Sequence, residues 1–267
     1  MFDRIVVGVD ASDFGLEALQ QALVLRDPNG TLQAVTVLEE AASSHAGFLA
    51  ADVAARLAEE AQDTHERTVE RLAGEPFCTA RIVKGGATAA LLSACASERA
   101  TLVAVGGRHR SHAAGLLLGG VATVVLHDAP CSVLFARPQW GERWHPKRIV
   151  VGVDGSPWSL MALVAAEELA ARQGSEIRVL AATGGKRIEQ ERTWAERVDE
   201  WAPGHPVVNL VDASIGVDLI VVGSRGLHGL RSLGSVSERV AHRAHSSVLV
   251  VRGLAPDDDR ADTVAPE

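Results

Sequence analysis

The 267-residue sequence has no tyrosine, only three cysteines, no surplus of basic residues and no long apolar run. Cys78, Cys95 and Cys131 are odd in number, lie inside apolar stretches and show no CxxC spacing. A disulfide framework and a cysteine-built zinc site are thereby excluded, and reduced core thiols in a cytoplasmic protein are expected. The 26 Lys and Arg are outnumbered by 34 Asp and Glu, giving a net charge of −8 and a pI near 5.7. That balance leaves no footprint for nucleic acid and no basic face for an anionic membrane, so partners are small molecules or proteins. No uninterrupted apolar run approaches about 18 residues, and Asp3 and Arg4 interrupt the start at once. Neither a spanning helix nor a leader is predicted. The missing tyrosine, beside five Phe and five Trp, has no explanation in the pattern.

What is present is a repeat, in a chain whose 47% hydrophobic residues can furnish a sizeable core. RIVVGVDAS at 4–12 returns as RIVVGVDGS at 148–156, an offset of 148 − 4 = 144. LVAVGGR at 102–108 returns as LIVVGSR at 219–225, offset 219 − 102 = 117, and residues 119–137 return at 234–252, offset 234 − 119 = 115. The second copy has therefore lost 27 residues in its middle and 2 more after the VGS element. The boundaries that follow are one domain over 1–138, a proline-bracketed linker over 139–146, a shortened domain over 147–253 and an acidic disordered tail over 254–267. Trp140 and Trp144 of the linker are expected at the domain interface.

Each copy alternates strand and helix. Residues 5–9 form a short β-branched run suited to a parallel strand covered on both faces, and Asp10-Ala11-Ser12 is a helix start. Leu16, Leu19 and Leu23 then recur about a helical turn apart. Further strands are predicted over 31–37, 78–83, 102–106 and 132–136, with helices over 47–72, 87–96 and 117–127. The second copy keeps strands over 149–153, 177–182 and 219–222 and helices over 156–173 and 187–201. Its gap removes strand three and keeps a short helix over 207–214; the rival reading keeps 207–211 as the strand. The fold class is α/β, two doubly wound parallel-sheet domains in tandem, the second shortened. Ligands of such sheets sit beyond the carboxyl ends of the strands, where the strand order reverses.

Familiar catalytic signatures are missing. Gly185-Lys186 lacks the upstream glycine of a phosphate loop, and neither GxGxxG nor GxSxG occurs. His109 and His112, like His242 and His245, are three apart, but no Cys or carboxylate stands near them at ligand spacing. No metal site, general acid, base or nucleophile is assigned. VGSRGLHGLRSLGSVSERV at 222–240 places glycines after a buried strand and Gly234-Ser235 at a helix start. Two readings fit it: a cradle of backbone N–H groups and a hydroxyl for phosphate, or a tight turn whose Ser235 only caps the helix.

RIVVGVDGS, DLIVVGSRG, LGSVSERV and SSVLVVR, in that order, together resemble the universal stress protein family in its tandem form. The resemblance covers residues 2–137 and 147–252. It implies adenine nucleotide alpha hydrolase-like, Rossmann-like domains, each a five-stranded parallel sheet between helices. It also implies pairing across the last strand, which a tandem chain can make internally, with homodimerisation left open. Some members bind ATP through Gly, two residues, Gly, about nine residues, Gly and Ser or Thr, with an Asp after the first strand; others bind no nucleotide. Carried over, the second domain offers Asp154, Ala182, Gly223, Gly226, Gly234 and Ser235, although only seven residues separate Gly226 from Gly234. The first offers Asp10, Val37, Gly106 and Gly119, with His109 in place of the second glycine and Gly120 in place of the hydroxyl. Asp10 and Asp154 serve equally as helix caps.

The reading that follows is a cytoplasmic stress-response regulatory module binding ATP or another adenine nucleotide, with or without Mg, in its C-terminal domain. A nucleotide-free pseudo-dimer that contacts an unidentified protein is the alternative, and a slow nucleotide hydrolase ranks last because nothing positions a base.

Overall fold

The computed structural model describes residues 1–39, 47–109, 116–117, 119–138, 144–181, 194–224 and 235–253. In the first half the chain runs β1 (Arg4–Gly8), α1 (Asp13–Leu25), β2 (Thr31–Leu38), α2 (Gly47–Leu72), β3 (Cys78–Lys84), α3 (Ala87–Ser97) and β4 (Leu102–Gly106). A small pair, β5 (Arg108–His109) and β6 (Leu116–Leu117), precedes α4 (Gly120–Asp128) and β7 (Ser132–Ala136). The second half follows as β8 (Arg148–Val153), α5 (Pro157–Gln173), β9 (Glu176–Ala181), β10 (Glu200–Trp201), α6 (Pro206–Ala213), β11 (Leu219–Ser224), α7 (Ser235–Arg243) and β12 (Ser247–Arg252).

Local chemistry explains the starts. Ser12 accepts from the Gly15 N–H and caps α1, while Ser156 accepts from Ser159 N–H and caps α5 ahead of Pro157. The continuous β-branched runs become strands buried on both faces, such as β4 and β7.

Ten strands form one sheet in the order β10-β9-β8-β11-β12-β7-β4-β1-β2-β3. Within each half all neighbours are parallel and the order is that of a doubly wound domain. The halves join where β12 runs antiparallel to β7, with Leu249 opposite Leu134. These two leucines are repeat equivalents, 249 − 134 = 115 apart, so a pseudo-twofold axis passes between them. Alternation along the strands sends Ile5 and Val7 to one face and Val6 to the other. One core gathers α1 and α5, Trp144 and Trp194; the other gathers α3, α4, α6 and α7, and each runs through both halves.

Three expectations need correction. The helix expected over 187–201 is absent from its described part: residues 194–201 make a single 3-10 turn at Ala195–Arg197 and the strand β10. Strand three is not deleted but cut to those two residues, beside the short helix α6 that the preferred reading placed there. The helix expected from 117 begins at Gly120, because Leu116–Leu117 pairs with Arg108–His109. Trp140 and the tail lie outside the described residues.

Candidate functional site

A cavity of about 470 Å³ opens beyond the carboxyl ends of β1, β2 and β4, at the reversal point of the first half's strand order. All four first-half candidates line it: Asp10, Val37, Gly106 and Gly119. Its apolar wall comes from Val35, Leu91 and Val105, and α2 closes it with Leu57, Glu60, Ala61 and Thr64. Asp10, Glu39 and Glu60 put carboxylates on its rim, and no Lys or Arg is among the described lining residues.

Three features give this cavity chemistry. Asp10 Oδ1 accepts from the Ser12 N–H at 3.2 Å and from the Ser12 hydroxyl, which aims the carboxylate from the β1–α1 turn. The first turn of α4 reaches the cavity, and its N-cap Gly119 supplies no side-chain hydrogen bond. Thr36 is 3% exposed and lines the cavity, yet its Oγ1 has no hydrogen-bond partner. Nearby Thr64, equally buried, gives its hydroxyl to the Glu60 carbonyl at 2.7 Å. A buried hydroxyl without a partner is costly.

In the second half Asp154 repeats the turn: its Oδ1 accepts from Ser156 N–H at 3.0 Å and its own N–H donates to Ser159 Oγ at 3.2 Å. Burial pushes this carboxyl up, but hydrogen bonds from Ser156 and Ser159 outweigh that and hold it below the usual carboxylate range. Ala182, Gly226 and Gly234 lie outside the described residues, as does the Ser235 side chain; Ser235 itself opens α7. Gly155, beside Asp154, has φ +78°, and a Cβ there would stand 2.6 Å from the Trp194 ring. Its repeat equivalent, Ala11, lines the first-half cavity.

The strand-end glycines have a packing role of their own. A Cβ on Gly106 would come within 2.5 Å of the Phe14 carbonyl oxygen, and one on Gly223 within 2.2 Å of the Trp158 carbonyl oxygen. Each permits the first turn of the neighbouring helix to press on the strand end. Among the described residues no group of three or more His, Cys, Asp and Glu could hold a metal ion.

The two VDxS turns, the glycine strand ends and the repeated sheet order point one way, and a profile of the universal stress protein family matches residues 1–137 and 187–252. The chain belongs to the universal stress protein family. It is 30% identical over 210 residues to a universal stress protein of Mycobacterium tuberculosis, spanning 67% of this chain and 70% of that protein. A universal stress protein of Mycobacterium bovis is 31% identical over 186 residues, 58% of this chain and 63% of its own. The solved universal stress protein of Archaeoglobus fulgidus shares the fold, with a TM-score of 0.69 at 20% identity over 93% of this chain and 96% of that one. The second matched segment begins beyond Asp154.

Sequence reasoning missed Thr36, Glu60 and Thr64. Thr36 carried a signal, a hydroxyl inside the apolar run Ala34-Val35-Thr36-Val37. Glu60 and Thr64 carried none, since α2 brings them from more than one element away.

Proposed function

We propose that this chain is a cytoplasmic tandem universal stress protein, a stress-response regulatory module that binds ATP or another adenine nucleotide in its first-half cavity. The observation that carries the reading is the convergence of Asp10, Val37, Gly106 and Gly119 on one cavity where the strand order of the first half reverses. The base lies on the apolar wall of Val35, Leu91 and Val105, with Thr36 on the α2 side of the same cavity. Asp10 and Glu60 accept ribose hydroxyls or, with the triphosphate, face Mg. The open N-terminus of α4 takes a phosphate. The role is occupancy: bound nucleotide changes the surface offered to a protein partner, to the extent that it binds the two states differently. Catalysis is not part of the reading, because no described side chain is placed as a base beside the phosphate end. The internal pairing of β7 with β12 supports a pseudo-dimer within one chain.

The second half is the other location, with Asp154, Ala182, Gly223, Gly226, Gly234 and Ser235. One observation favours it, the buried Ser224 hydroxyl at the end of β11, which also has no partner. Against it stands the Trp194 ring packed on Gly155.

Denaturing the purified protein and chromatographing the supernatant on an ion exchanger should release ATP or ADP, and millimolar Mg-ATP should raise the melting temperature. Gly119→Val should abolish that rise and Gly234→Val should leave it; the reverse pattern moves the site to the second half. No nucleotide and no shift would leave the nucleotide-free interaction module.

A further inference from the structure

Two arginines cross the junction between the halves. Arg137, just past β7, is 2% exposed and donates from Nη1 to the Ser246 carbonyl at 2.8 Å and from Nη2 to the Ala241 carbonyl at 2.7 Å. Those carbonyls lie in the last turn of α7 and just beyond it. Its repeat equivalent Arg252, at the end of β12, donates from Nη1 to the Ala129 carbonyl and from Nη2 to that of Leu126, which close α4. The backbone joins in, as Arg137 N–H donates to Ser247 Oγ at 3.0 Å and Arg252 N–H to Ser132 Oγ at 3.1 Å. Each half thus reaches across to cap the final helix of the other, where orphan carbonyls and the negative end of the helix dipole favour a guanidinium.

For α4 this grip has a second consequence. The helix is only nine residues long, too short to hold its shape without tertiary support. Residues 119–122 at one end wall the cavity, and Arg252 holds the carbonyls at the other. The approach to α4 is also braced from the second half, since β6 lies against α7. We propose that Arg252 is a positioning residue for the first-half cavity, acting from the second half through α4 to hold the helix's open N-terminus toward the ligand. The shortened second domain then contributes to a site whose described lining residues all lie in the first half. The proposal rests on the reading of the cavity as a nucleotide site.

On the full chain, Arg252→Ala should weaken nucleotide binding in titration calorimetry about fivefold, the low end of measured coupling between sites. Arg252→Lys, which keeps a charge and one directed donor, should recover part of the loss. Leu169→Ala, a core truncation in α5 on the opposite sheet face, should lower the melting temperature and leave affinity unchanged. Hydrogen exchange supplies a readout without ligand: Arg252→Ala should speed exchange along all of α4, from the Thr123 N–H that bonds Gly119 to the last turn. Wild-type affinity in Arg252→Ala, an equal loss in Leu169→Ala, or faster exchange confined to the last turn would overturn the proposal. If wild-type protein binds no nucleotide, the function reading fails, and the exchange result still decides whether Arg252 positions α4.

Discussion

Thr36 stands between stability and binding. With no ligand present its hydroxyl is buried and unpaired, a state that costs about 1–3 kcal/mol relative to a paired one. The second half has Ala181 at the same register position, five residues after Glu176 as Thr36 is five after Thr31, where Arg148 and Arg4 are the respective β partners. A group that one copy keeps at a cost and the other replaces by a methyl is readily explained by a ligand that bonds it. Thr36→Val should therefore stabilise the ligand-free protein by about 1 kcal/mol and weaken nucleotide binding by about fivefold to tenfold, the worth of one buried hydrogen bond. Melting curves with and without nucleotide give both quantities. A variant that melts lower without ligand, or binds unchanged, would show that Thr36 is an ordinary core residue.

The elements differ in how plainly the sequence announces them. The β-branched runs of β1, β4, β7, β8, β11 and β12 are legible because a parallel strand buried on both faces has little choice of composition. The charged, alanine-rich α2 is legible to its ends. Within the helix expected over 187–201, the described residues 194–201 misled because their charges and spacing resemble a helix. Trp194 is instead drawn into the core at 5% exposure, with Trp201 tilted against it at 5.8 Å between ring centroids. Burial of an indole outweighs a few tenths of a kcal/mol of propensity per residue. The candidate site was legible only in part. Asp10, Val37, Gly106 and Gly119 sit at strand ends and match the motif, but His109 and Gly120 depart from it and turned the sequence reading to the C-terminal domain. The α2 wall depends on tertiary contact. Trp194→Ala should cost about 3–5 kcal/mol, as for other large core truncations, with nucleotide affinity in the first-half cavity unchanged. Chemical denaturation and titration of the same sample test both parts. A cost below about 1 kcal/mol would mean that the ring fills no core.

At the scale of the whole molecule, the halves are held together on both sheet faces, and one of those contacts titrates. Asp27 of the first half pairs with Arg172 of the second, whose Nη2 also donates to the Leu25 carbonyl at 2.8 Å, while Gln173 Nε2 donates to the Val24 carbonyl at 2.9 Å. Burial pushes the Asp27 carboxyl up, but the amino terminus and Arg172 outweigh it and hold its pKa below the ordinary 3.8. A carboxylate whose folded pKa is depressed stabilises the fold at every pH above its unfolded value. That contribution is lost as pH falls through the folded value. With side chains 20% and 31% exposed, solvent screening keeps the contribution modest, on the order of 1 kcal/mol or less. Asp27→Asn should accordingly melt below wild type at pH 7, and the gap should narrow as pH falls below the ordinary carboxylate value of 3.8 and through the lowered folded value. Unfolding by denaturant across that range measures the gap directly. A gap of constant size would locate the effect of the substitution in packing, and would remove Asp27 from the acid sensitivity of the junction.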